Sequence, residues 1–280
     1  MSVKIKKFFD HRFYKRHFSQ IYTIAEKNVK LQMRFKFQLV FSIIRPLLTI
    51  FLSLIILSRF FAIGARFEPW DDTNYLIFLF TAYNIELLRR VIDEFSRNFI
   101  YEKYWKTLPA LMIAPFNKVH LLFGILVSHL IIISIPFMLF FILAYLIYPI
   151  SIFTIFFVII IFLLIDLIFS GIGLFLGAFC LSKEGAMQIL YTGIGIIFWF
   201  SCITYPFELF PGIIQGIIQL NPLYYVFDVI RMTWLDDNIL LTVSNFPYHF
   251  VILIGTAIVI PSIAIYVFRL VYNKFGIAGY

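Results

Sequence analysis

The stretch TYPFELFPGIIQGIIQLNPLYYVFDVIR, residues 204–231, sets three prolines and two carboxylates, Glu208 and Asp228, inside a strongly apolar region. A continuous membrane-spanning helix is not written that way. Pro206, Pro211 and Pro222 each remove a backbone donor and obstruct the turn before them, so the segment is expected to break into short pieces. Broken backbone at membrane depth survives only where it is buried in protein or lines a wet cavity. Residues 204–231 are therefore expected either to be buried within a helical bundle or to line a wet cavity in it.

The rest of the chain supplies that bundle. Of its 280 residues 62% are hydrophobic and 14% charged, against roughly 45–50% apolar content in a soluble domain. The fold class expected is an all-α integral membrane protein. Runs of about 20 apolar residues are needed to cross a hydrocarbon core of about 30 Å. Six candidates occur, near residues 39–63, 74–92, 119–148, 152–180, 187–206 and 249–272. The second is the weakest, because Asn84, Glu86, Arg89 and Arg90 crowd its end. Residues 1–38 form a basic amphipathic segment ahead of a six-span domain at 39–280. The first apolar run begins near Leu39 and is long enough to span, so no cleavable leader is expected.

Loop charge sets the orientation. Ten Lys or Arg residues lie between Lys4 and Lys36, Arg89, Arg90, Arg97, Lys103, Lys106 and Lys118 mark the loop between spans two and three, and Lys183 the turn between spans four and five. The alternate loops are acidic, with Glu68, Asp71 and Asp72 after span one and Glu208, Asp228, Asp236 and Asp237 before span six. Both termini of this multi-pass chain are expected in the cytoplasm, with the plasma membrane as its location. The net charge of +8 then arises from topology; a nucleic-acid partner would require an exposed basic fold. Membrane lipids are the expected surroundings. In the N-terminal segment Phe18, Ile21, Tyr22, Ala25, Val29 and Met33 recur at helical spacing, which suits a helix in the membrane interface. Such a helix serves either as an elbow touching a cytoplasmic partner or as an anchor to anionic lipid.

Cys180 and Cys202 lack metal-type spacing, and the five histidines form no ligand motif, so neither a metal site nor a disulfide is expected. No GxxxxGK[ST] phosphate loop occurs, so ATP and Mg, if used, must be bound by another subunit. This chain carries no cofactor of its own and no catalytic constellation. The glycine-rich run at 171–177 reads as close helix packing. Charges within spans are costly and so mark candidate functional groups. Arg45, beside Pro46, can snorkel to headgroups at the start of span one. Asp166 falls near the middle of span four and is too short to snorkel. No second acidic or histidine group stands out at its depth, which favours a structural hydrogen bond over a proton or substrate role.

Tyr205, Pro206, Glu208, Pro211, Asn221, Pro222, Leu223 and Arg231 occur in an order that resembles the stretch before the last span of ABC-2 type transporter permeases. Residues Tyr101 to Pro115 resemble the same family's loop between spans two and three. The resemblance implies a re-entrant hairpin before the last span and a short coupling helix seated on an ATPase subunit. Glu102, Tyr104, Trp105, Lys106, Thr107 and Leu108 would form that coupling element. Tyr205, Pro206, Glu208, Pro211, Asn221 and Pro222 would form the re-entrant gate. Glu208 reads either as a polar gate or as a helix-terminus cap, and Arg231 as a lipid-phosphate ligand or a partner of Asp228.

The function implied is the permease of an ATP-driven exporter working with two ABC ATPase subunits and a second permease copy. Its cargo would be a small amphiphile or drug, or a lipid-linked glycan. Two rival classes are a stand-alone secondary transporter or channel, which would need internal repeats or a polar line through the spans, and an integral membrane lipid-phosphate enzyme. The enzyme would need clustered acidic, His or Arg groups at one face, and the acidic residues here are dispersed.

Overall fold

The computed structural model describes residues 11–64, 67–104, 118–182 and 184–275. Among these the chain is helical, with no strand beyond a bridge between Phe67 and Trp70. The helices are α1 (His11–Arg34), α2 (Lys36–Ala62), α3 (Tyr75–Tyr104), α4 (Lys118–Ile147), α5 (Ile152–Ser182), α6 (Glu184–Trp199), α7 (Gly212–Gln219), α8 (Pro222–Asp236), α9 (Ile239–Asn245) and α10 (Pro247–Phe275). A 3-10 turn at Phe207–Leu209 precedes α7.

A helix covers each of the six apolar stretches, but they are not equivalent. Four segments are long and apolar enough to cross a membrane: Ile43–Ala62, His120–Ile147, Ile152–Phe179 and Pro247–Val271. The bent pair α7 and α8, with 92° between them, makes a fifth if it is one broken span. The helix α3 carries too many charges to meet the same criterion, and the apolar part of α6, Gln188–Trp199, is short.

The sequence of α5 is apolar all round, which is the pattern of a helix surrounded by others. In its most apolar window 44% is buried inside the protein, against 22–28% in the other three, so α5 is the axis of the bundle. It packs on α3 along one side and on α10 along another. Glycines permit both approaches. A Cβ on Gly173 would come within 2.9 Å of the Ile92 Cα in α3, and one on Gly171 within 2.9 Å of the Pro261 Cα in α10. Small residues that let backbones meet are what membrane helix packing uses.

One sequence expectation is corrected here. The second stretch does not give way to a loop near residue 92: α3 continues to Tyr104, so Tyr101–Tyr104 are helical. Pro46 lies inside α2, which begins at Lys36, and stands close to the start of the apolar span Ile43–Ala62. The N-terminal helix packs against the bundle. Its Ala25 and Asn28 are buried, Gln20 meets His120 Nδ1 at 2.7 Å, and Gln32 Nε2 donates to Glu94. Phe18 and Tyr22 of the expected apolar face point outward, 70% and 68% exposed. Thus α1 spends one flank on α4 and α3 and leaves the other open.

At one end of the bundle the loops are tied together. Tyr148 Oη donates to the Thr73 carbonyl, Trp234 Nε1 to the Tyr148 carbonyl at 3.2 Å, and the Ser151 amide to Asp237 Oδ1 at 2.7 Å.

Candidate functional site: the break after α6 and the groove beside it

The prolines act where they stand. Pro206 and Pro211 precede the 3-10 turn and α7, and Pro222 occupies the first turn of α8, where a missing donor costs nothing. Asn221 caps α8, its Oδ1 accepting from the Leu223 amide at 3.0 Å. The expected 187–206 span ends early, at Trp199. Beyond it the chain runs irregularly through Cys202, whose φ is +55°.

A helix that stops inside an apolar bundle leaves its last carbonyls without partners, and side chains from α8 and its cap supply donors. Asn221 Nδ2 donates to the carbonyls of Ile197 at 2.6 Å and Phe200 at 3.0 Å. Ser201 Oγ reaches the Phe198 carbonyl at 2.5 Å. Arg231 Nη1 donates to the Cys202 carbonyl at 2.9 Å and Nη2 to that of Ile203 at 2.6 Å. Arg231 is 2% exposed, and its guanidinium lies 3.8 Å from the Phe78 ring centroid. It reaches neither lipid phosphate nor Asp228, which instead meets His249 Nδ1 at 3.0 Å. The expected roles of Arg231 are thereby replaced by one that spacing does not reveal: a clamp on broken backbone.

A groove of about 610 Å³ adjoins the break. Arg45, Glu86, Arg89, Arg90, Asp93 and Arg97 make one part of its wall, and Phe198, Trp199, Tyr205, Phe210 and Leu52 another. Arg45 is exposed. Arg89 pairs with Glu86 at 3.0 Å and stands 5.0 Å from the Phe198 ring centroid. Arg97 pairs with Glu94 at 2.8 Å. Arg90 Nη1 is buried and has no hydrogen-bond partner among the described residues. A second cavity, also about 610 Å³, is almost wholly apolar and is lined by Asn221, Pro222, Ile172, Ile217, Leu220 and Ile260.

The candidate residues read from sequence thus separate. Arg45 and Tyr205 share the charged groove, while Asn221 and Pro222 border the apolar cavity. Glu208 and Pro211 are exposed and Pro206 is buried. Glu102 and Tyr104 lie on the last turn of α3; Trp105, Lys106, Thr107 and Leu108 lie outside the described residues. Asp166 is in neither cavity. It is fully buried on α5, with its Oδ1 3.5 Å from Nδ1 of His129 on α4, itself 1% exposed. A histidine therefore does stand at the depth of Asp166, and the expectation that none would is corrected. The separation is long for a hydrogen bond, and neither side chain has another partner among the described residues.

Residues 19–235, from α1 through α8, match the model of the ABC-2 type transporter family. The chain belongs to that family. It is a membrane component of an ABC-type transporter, and membership implies work with ABC ATPase subunits. No curated protein matches the chain. In this ABC-2 permease the clamped break at Cys202 and Ile203 and the groove beside it both fall within the matched residues.

Proposed function

We propose that the chain is the permease of an exporter in the plasma membrane, powered by ATP bound with Mg on separate ABC ATPase subunits and paired with a second permease copy. The observation that carries this reading is the family match across residues 19–235. Six spans, both termini in the cytoplasm and a re-entrant hairpin made by α7 and the start of α8 complete it. The charge pattern supports this layout, since basic residues crowd one set of loops and acidic residues the other.

Nucleotide-driven closure of the ATPases would push on the end of α3 and the residues after it. The groove and the break would answer by changing shape. Such a push is productive only if nucleotide and cargo each favour one conformational state. The small volume of the groove, within the range of roughly 300–1,000 Å³ typical of pockets for small molecules, favours a small amphiphile or drug over a lipid-linked glycan.

The coupling element tests the mechanism. In the complex with its ATPase, Glu102→Ala with Trp105→Ala is expected to leave basal hydrolysis in place and to abolish its response to cargo. An unaltered response would remove residues 102–108 from the coupling contact.

A further inference from the structure

The groove between α2, α3 and the break is lined by both charged and apolar side chains. The helices α2 and α3 run antiparallel: the rings of Phe61 and Tyr75 meet at 5.1 Å at one end, and Tyr83 Oη reaches the Ile43 carbonyl at 3.5 Å further along. At a rise of 1.5 Å per residue, Arg45 lies roughly 25 Å from the Ala62 end of α2, and Arg89 and Arg90 roughly 20 Å from the Tyr75 end of α3. The groove brings these arginines together from the two helices. Leu52 is about 10 Å further along α2 from Arg45, and Trp199, Tyr205 and Phe210 also line the groove, whose aromatic side meets the arginines where Arg89 stands 5.0 Å from the Phe198 ring centroid.

The charges in the lining do not cancel. Four arginines line the groove against two carboxylates, Glu86 and Asp93. Glu86 is engaged by Arg89, and Arg97 is engaged by Glu94 from outside the lining. Arg45 makes no ion pair among the described residues, and Arg90 keeps one buried nitrogen with no acceptor. A buried donor left unmade is costly, and an oxyanion is the ligand that a guanidinium fork suits. The lining also offers aromatic and aliphatic surface. Trp199 is 85% exposed and Leu52 57%, so an apolar chain can reach that surface from outside the bundle.

We infer that this groove binds a single-chain amphiphile with an anionic headgroup, the phosphate- or carboxylate-type head held between Arg45 and Arg90 and the tail laid along Leu52, Trp199 and Phe210. This narrows the cargo class and rests on the exporter reading for its biological meaning, but binding itself needs no ATPase.

The test uses the full chain purified in a neutral maltoside detergent, with dodecyl phosphate as the probe and native mass spectrometry or equilibrium dialysis as the readout. Saturable binding of dodecyl phosphate, with dodecyl trimethylammonium and inorganic phosphate both far weaker, is the expected result. Arg90→Gln is expected to weaken it about tenfold, the scale of one charge-assisted hydrogen bond. Asp93→Asn is expected to tighten it, which a merely structural role for these side chains would not produce. Equal binding of the cationic probe, or an Arg90→Gln variant that elutes and melts like the parent and binds as well, would overturn the inference. Stronger binding of phosphatidylglycerol than of dodecyl phosphate would also overturn it, by making the occupant a resident lipid. An ATPase that fails to assemble with the chain would defeat the exporter reading while leaving these binding curves as they are.

Discussion

Arg231 Nη1 donates to the Cys202 carbonyl at 2.9 Å, and Cys202 holds a φ of +55° that non-glycine residues seldom adopt. A positive side chain with no ion-pair partner among the described residues would ordinarily be a poor thing to bury. Here it replaces water for two adjacent carbonyls and rests on the face of Phe78, an arrangement that the planar fork of arginine permits and a lysine ammonium does not.

Arg231→Met is therefore expected to lower stability by about 3 kcal/mol, since it orphans two buried carbonyls at roughly 1–3 kcal/mol each and recovers part of that by removing a buried charge. Arg231→Lys keeps the charge but cannot grip both carbonyls, and should fall between. Midpoints of thermal unfolding in detergent measure both. A lysine variant as stable as the parent would mean that the clamp contributes charge alone.

Asn221 works in two directions, and one substitution separates them. Asn221→Asp retains the acceptor that caps the Leu223 amide but loses the donor to the carbonyls of Ile197 and Phe200. It also turns a carboxylate toward them. A cap alone is worth about 1 kcal/mol. The aspartate variant is expected to be less stable than Asn221→Ala, contrary to the ranking at ordinary helix starts, where aspartate is among the best caps. Recovery of stability by aspartate would show that capping dominates.

The buried Asp166 and His129 call for a double-mutant cycle. Removing one partner strands the other in an apolar interior, at about 3–5 kcal/mol, whereas replacing both by apolar residues of similar size is often neutral or stabilising. Asp166→Leu with His129→Leu should therefore be more stable than either single variant. Additive losses would show that the two side chains, 3.5 Å apart, do not interact. If transport by the folded double variant matched that of the parent, the pair would be structural.

Prolines and spacing made much of the bundle legible beforehand. Pro206, Pro211 and Pro222 fix where backbone donors are missing, so short helices between them follow from covalent chemistry. Apolar run length located α2, α4, α5 and α10 to within a few residues, overran the end of α6 and fell short at α3. There the charged residues from Glu86 onward read as the approach to a loop, but i,i+3 pairs such as Glu94 with Arg97 and the Gln32–Glu94 contact carry the helix on to Tyr104. The partner of Arg231 was not legible, because backbone carbonyls leave no mark on sequence. His129 lies 37 residues from Asp166, on a different helix, and no spacing rule connects them. The grouping of Arg45 with Arg89 and Arg90 likewise depends on antiparallel α2 and α3 lining one groove. The unused clue was the number of arginines placed within or beside apolar runs.

As an exporter, this permease must move cargo at the expense of ATP bound elsewhere. Purification of the full chain together with a candidate ABC ATPase, followed by hydrolysis assays of the complex in lipid with and without an anionic amphiphile such as dodecyl phosphate, separates that role from stand-alone transport. A stable complex is expected, with hydrolysis that rises with the amphiphile and no longer does so when Arg90 is replaced by Gln. An ATPase that is not retained under mild conditions, or one whose hydrolysis is indifferent to the permease, would rule the exporter out and favour a stand-alone transporter.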